Sequence, residues 1–157
     1  MAEINLDDVS GLPEEKFGGG ATILEEGKEG RRVFVLKEGS VSVMAAGNEL
    51  CKANAPGTIF GEISVLLDGT HTATVVAEED CSFYVIDSLM NYLEEHPKTA
   101  IEVAKVLATR VMNMNLHYLE IKHEIERMQD DPAAASSSGR LFKILQKVDQ
   151  FWGRNIF

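Results

Sequence analysis

Few residues in this chain suit catalysis, export or membrane insertion. There are only two cysteines, Cys51 and Cys81, too few and too isolated for a disulfide framework or a thiolate metal site. No apolar run approaches the ~20 residues of a membrane span, and the acidic Met1–Ser10 start is unlike a signal peptide. The chain is therefore expected in the cytoplasm. Basic residues are scarce, 15 against 25 acidic, for a net charge of -10. The shortage is uneven. Residues 140–157 carry Arg140, Lys143, Lys147 and Arg154 against Asp149 alone, a net +3, which leaves -13 for the rest. A body that acidic repels nucleic-acid phosphates, so no nucleic-acid partner is expected. Gly-x-Ser-x-Gly, His-Glu-x-x-His and paired-carboxylate patterns are missing, and His71, His96, His117 and His123 are scattered. No catalytic residue, metal site or cofactor is expected, and the chain reads as a non-enzyme.

What is present is β-rich punctuation followed by helix. From Gly18 to Ile86 short apolar runs (Arg32–Lys37, Ser40–Met44, Leu50–Ala53, Thr74–Ala77, Ser82–Ile86) are broken at Glu38-Gly39, Gly47-Asn48, Pro56-Gly57 and Asp68-Gly69. Such spacing predicts an antiparallel sandwich or jelly roll. The Gly18-Gly19-Gly20 run is a loop; no Lys-Ser or Lys-Thr follows to make it a phosphate loop.

After Asp87 the period turns helical. Residues 88–95 predict a short helix ended by Pro97, which then opens a second helix running to about Gln129. Along it Ala104, Leu107, Val111, Met114, Tyr118, Ile121, Ile125 and Met128 alternate at spacings of three and four, a coiled-coil seam and so a homodimer interface, or else the core face of a helix lying along the sandwich. The flanks Arg110, Asn115, His117, Lys122 and Glu124 pair poorly across such a seam. A second stripe, Val103, Met112, Leu116 and Leu119, is expected to pack on the body. Asp130-Asp131-Pro132 stops the helix, and 130–139 is a small-residue linker.

Beyond the linker, Leu141, Ile144, Leu145, Val148, Phe151 and Trp152 share one face of an amphipathic helix. It is expected to fold back on its own domain or dimer mate. The alternatives are docking on a partner protein or weak contact with an anionic membrane. The expected organisation is a lead-in over 1–17, a jelly roll with a short helix over 18–98, a long dimerisation helix over 99–129, the linker, and the helix at 140–157.

The stretch from Phe60 to Ala77 joins Gly61-Glu62 through Asp68-Gly69 to His71-Thr72-Ala73-Thr74. With the glycine-punctuated hairpin at 25–43, Pro56-Gly57 and His96-Pro97, it resembles the cyclic-nucleotide-binding domain family over about residues 18–129. The long helix resembles the dimerisation helix of the catabolite activator protein. The resemblance implies a mainly β fold with α, an antiparallel jelly roll followed by that helix and a short C-terminal one. It also implies cAMP or cGMP as ligand.

The resemblance further implies a site at Phe60, Gly61, Glu62, Ile63, Ser64, His71, Thr72 and Ala73, with Val43 and Cys51 lining the base and ribose pocket or serving as plain core. Glu62 takes the position that accepts the ribose 2′-hydroxyl, or else caps the helix that follows it. The amides of Ile63 and Ser64 would meet the phosphate. Thr72 would offer it a hydroxyl, or is a threonine chosen for strand propensity. His71 stands where the family has an arginine, exchanging a permanent bidentate clamp for a titratable ring. Thr70 replaces the family's usual proline. Fewer than 30 residues follow Gln129, too few for the helix-turn-helix of related transcription factors, unless the chain is a fragment. The expected function is a stand-alone dimeric sensor signalling to an unidentified effector protein through its long helix and C-terminal tail. The alternative is a ligand-independent dimerisation or docking module with a degenerate pocket.

Overall fold

The computed structural model describes residues 3–130. In chain order the elements are α1 (Leu6–Val9), β1 (Glu14–Phe17), β2 (Thr22–Leu24), β3 (Val33–Glu38), β4 (Val41–Ala45), β5 (Asn48–Ala53) and β6 (Ile59–Phe60). There follow α2 (Glu62–Leu66), β7 (Thr74–Ala77), β8 (Cys81–Ile86), α3 (Leu89–Glu95) and α4 (Pro97–Asp130). Two four-stranded sheets form, ordered β1-β8-β3-β6 and β2-β7-β4-β5. All neighbouring strands pair antiparallel, with Phe34 opposite Val85 and Val43 opposite Val75.

The sheets face each other across a core in which Phe17, Phe34, Phe60 and Phe83 meet edge to face, with ring centroids 5.7–6.3 Å apart. This offset geometry brings a positive ring edge to a negative face. The first sheet is covered on its outer side as well. Val33, Val35, Tyr84 and Ile86 point outward into a second cluster with Ile4, Val9, Leu89, Val103 and Val106. β8 is buried at all six residues and β3 at its first four, which is why both read as unbroken apolar runs rather than alternating ones.

The expected runs become β3, β4, β5, β7 and β8 with ends moved by one or two residues. Three strands, β1, β2 and β6, lie outside those runs. Three of the four residues of β1 are charged, yet it pairs along β8, and Glu14 and Glu15 reach Lys37 and Arg32, each at 2.7 Å. The first sheet thus begins at Glu14, and Ile4 and Val9 are core before it. β6 has only two residues. The Asp68-Gly69 turn ends α2: Asp68 takes φ 48°, Gly69 N donates to Ser64 O at 2.8 Å and Asp68 N to Val65 O at 3.4 Å. These are the two crossed bonds of a Schellman ending, with Asp in the left-handed position usually held by glycine.

α4 corrects the expected second stripe. At about 100° per residue, Val103 lies roughly opposite Met112. Val103 and Val106 pack on the body, while Met112, Leu116 and Leu119 remain about half exposed or more. Of the seam, Val111, Tyr118 and Ile125 are exposed; Leu107, Met114 and Ile121 are partly buried. The linker and the helix expected at 140–157 lie outside the described residues.

Candidate functional site

The site is built where the two sheets and α4 converge on α2. Gly61 at the head of α2 has φ 87°, and a side chain there would come 3.0 Å from Arg32 O. Glycine is therefore required for this turn. The turn drives the next residue, Glu62, inward until its side chain is 2% exposed.

A buried carboxylate is costly unless it is met by donors. Arg110 of α4 meets it. Its Nη1 donates to Glu62 Oε1, its Nη2 donates to Ile59 O at 3.2 Å, and the side chain is 9% exposed. The backbone of Glu62 and Ile63 at the head of α2 also favours the charged carboxylate. Burial pushes the Glu62 carboxyl up, opposed by the Arg110 charge and that backbone. The expected flank position of Arg110 is corrected: it is the side chain that ties α4 to the head of α2. A single arginine within the apolar run from Val106 to Met112 is its only sequence signal.

His71 is buried beside Ser64. Ser64 Oγ donates to Gly61 O at 2.8 Å and lies 2.8 Å from His71 Nδ1. A hydroxyl has one proton, and here it goes to the carbonyl; Oγ must therefore accept, and Nδ1 carries the ring hydrogen. The neutral ring is left with a bare Nε2. That atom faces Gly30, where an added Cβ would sit 2.0 Å from it. Burial lowers the His71 pKa from its usual 6.5. The backbone of His71 is held on both sides, accepting from Gly27 N at 2.8 Å and donating to Lys28 O at 2.9 Å.

Among the other expected site residues, Phe60 and Ala73 are buried and Ile63 is half-buried, and all three line the cavity with Glu62, Ser64 and His71. Thr72 lines it from an exposed position. Val43 is wholly buried in the inter-sheet core, and Cys51 packs against that core, its thiol pushed up to about 11 by burial. Neither lines this cavity. The cavity measures about 20 Å³, space for roughly one water. Arg32 is engaged with Glu15 and the Phe34 ring, and Arg31 lines the outer grooves beside His71. His117 donates from Nδ1 to Asn113 O at 2.8 Å within α4. Among the described residues, no three His, Cys, Asp or Glu side chains are placed to hold a metal ion, and no helix is long and apolar enough to cross a membrane.

A family model described as "Cyclic nucleotide-binding domain" matches residues 14–95. The chain is 38% identical over 141 residues to potassium/sodium hyperpolarization-activated cyclic nucleotide-gated channel 2 of Homo sapiens, covering 88% of this chain and 16% of the channel. It is 30% identical over 138 residues to channel 4 of Oryctolagus cuniculus, covering 87% of this chain and 11% of the channel. The chain thus spans less than a fifth of these relatives. Among solved structures, the catabolite activator protein of Thermus thermophilus superposes with a TM-score of 0.66 at 25% identity, over 76% of this chain and 59% of that one. A cAMP-bound PfPKA-R superposes with a TM-score of 0.53 at 25% identity, over 60% of this chain and 33% of that one.

Proposed function

The chain belongs to the cyclic nucleotide-binding domain family, and on that premise we propose that it is a dimeric sensor of cAMP or cGMP that signals to a partner protein through α4. The observation that carries this is the Glu62–Arg110 pair. The carboxylate in the ribose-binding position is held by the helix that would transmit the signal. A ligand that brings its own hydroxyl donor to Glu62 competes with Arg110. Pockets for small ligands are typically about 300–1,000 Å³, far above the present cavity, so entry requires the site to open, and the Arg110 contact from α4 is the one a ligand hydroxyl would replace. The ligand then favours the displaced helix to the extent that it binds that arrangement more tightly. The change reaches the seam of Leu107, Val111, Met114, Tyr118, Ile121 and Ile125, which serves as the homodimer interface.

Isothermal titration with cAMP and with cGMP tests the input. Saturable heat is expected with at least one of them, lost in Glu62→Ala. His71→Arg restores a charge-assisted clamp worth about 1.5–3 kcal/mol and so tightens binding by roughly ten- to a hundredfold. No heat at millimolar ligand in the wild type or in His71→Arg would overturn the sensor. A ligand-independent docking module is favoured by one observation: Glu62 is already paired with Arg110 inside a cavity of about 20 Å³. In that case partner binding would be the same with and without nucleotide.

A further inference from the structure

α4 has three faces, and one has no place in the function proposed above. Thr99, Val103, Val106 and Arg110 are buried against the body. Leu107, Val111, Met114, Tyr118 and Ile125 form the seam. Ile101, Met112, Leu116 and Leu119 form a third face: the helical step of about 100° per residue sets them within roughly 40° of Met112. They lie far around the helix from both the body and the seam. All four are 47–58% exposed. A two-stranded contact through the seam leaves this face uncovered, as does the body. Four large apolar side chains in line on a solvent-facing helix mark an interaction surface.

We propose that this face is the docking site for residues 140–157 of the same chain, laid as a helix antiparallel to α4. Beyond Asp130 the chain has 27 further residues, and within them Leu141, Ile144, Leu145, Val148, Phe151 and Trp152 fall on a single helical face. The linker permits the return. Residues 131–139 can span about 30 Å, whereas Leu116 lies about 21 Å along the helix from Asp130. A helix over 140–152, about 20 Å long, then covers the stretch centred on Leu116. Charge favours the return as well: the segment is +3 and the remainder of the chain -13, so long-range attraction keeps it near the body.

Trp152 is the chain's single tryptophan and reports directly on this contact. In the full-length chain its fluorescence is expected to be blue-shifted and several-fold less quenched by acrylamide than in the free 140–157 peptide. The double substitution Met112→Glu/Leu116→Glu is expected to return quenching to the peptide's value with unchanged far-UV circular dichroism, since both side chains start exposed. Protection should persist on dilution and in the seam variant Tyr118→Glu. A tryptophan as quenchable as the peptide's, or one indifferent to the double substitution, overturns the proposal. Protection lost on dilution or in Tyr118→Glu overturns it in favour of a second copy as the site. Protection gained only on adding anionic phosphatidylserine vesicles overturns it in favour of a membrane surface.

Discussion

Arg110 and Glu62 lie 48 residues apart in sequence and form an ion pair shielded from solvent, joining α4 to the first residue of α2. Arg110 also donates to Ile59 O, so one guanidinium spans the end of β6 and the head of α2. The position of α4 on the body thus depends on a polar contact at the mouth of the candidate site as well as on Val103 and Val106.

Arg110→Ala leaves the Glu62 carboxylate buried without its cation and is expected to cost about 3–5 kcal/mol, measured by urea unfolding at pH 7.5. Burial already raises this carboxyl. A carboxyl whose folded pKa is raised binds its proton more tightly folded than unfolded, so the deficit of Arg110→Ala should shrink as pH falls. Glu62→Gln/Arg110→Met should recover most of the loss. A cost below about 1 kcal/mol, the range of a surface pair, would remove the pair from any structural role.

His71 gives the opposite sign. Burial lowers its folded pKa below 6.5, so near that pH the unfolded chain binds the proton more readily and stability falls as pH decreases. The contribution is complete above pH 6.5 and is lost as pH drops toward the lowered folded value. His71→Gln should therefore show a shallower fall in Tm between about pH 7.5 and 5.5 than the wild type; parallel curves would refute the assignment. Anion binding should run the other way. Only the imidazolium has a hydrogen at Nε2, so cyclic-nucleotide affinity is expected to rise over the same descent.

Gly30 is predicted to be constrained by its contact with the His71 ring. An added Cβ would sit 2.0 Å from Nε2 and 2.5 Å from Cε1. The ring is held by Ser64 and cannot swing aside freely. Gly30→Ala should destabilise by about 1–3 kcal/mol, as overpacking does, and Gly30→Ala/His71→Ala should cost less than the sum of the two single changes. Strict additivity in thermal unfolding would show that the two residues do not interact.

For the seam, Val111→Glu/Tyr118→Glu should halve the mass seen by sedimentation equilibrium. Both side chains are exposed within one chain, so the monomer's unfolding midpoint should hardly change. A wild-type protein that is already monomeric at high concentration would refute the seam.

Much of the sheet was legible because each strand carries its own signal. Val33–Leu36 of β3 and Phe83–Ile86 of β8 form unbroken apolar runs since both faces of their sheet are covered, and turns at Gly39 and Gly47 punctuate the hairpins. β1 was not legible: Glu14, Glu15 and Lys16 carry no strand pattern, and their place at the sheet edge comes from pairing with β8. In the site, Gly61 and Glu62 stood out because a positive φ and a carboxylate at the head of a helix are local requirements. The division of labour along α4 was not legible, because three and four spacings describe several overlapping stripes on one cylinder.

By itself the sequence determined the jelly roll, the change to helix after Asp87, and the cassette with histidine in place of arginine. The first two rest on local chemistry, turn glycines, short apolar runs and proline boundaries; the third is what the resemblance to the family implies. Only the tertiary structure decided that Arg110 satisfies Glu62, that Ser64 leaves Nε2 of His71 bare, and that Met112, Leu116 and Leu119 face away from the body. Each depends on which distant segment comes to lie against which. A buried charge must find its partner wherever the packed chain brings one.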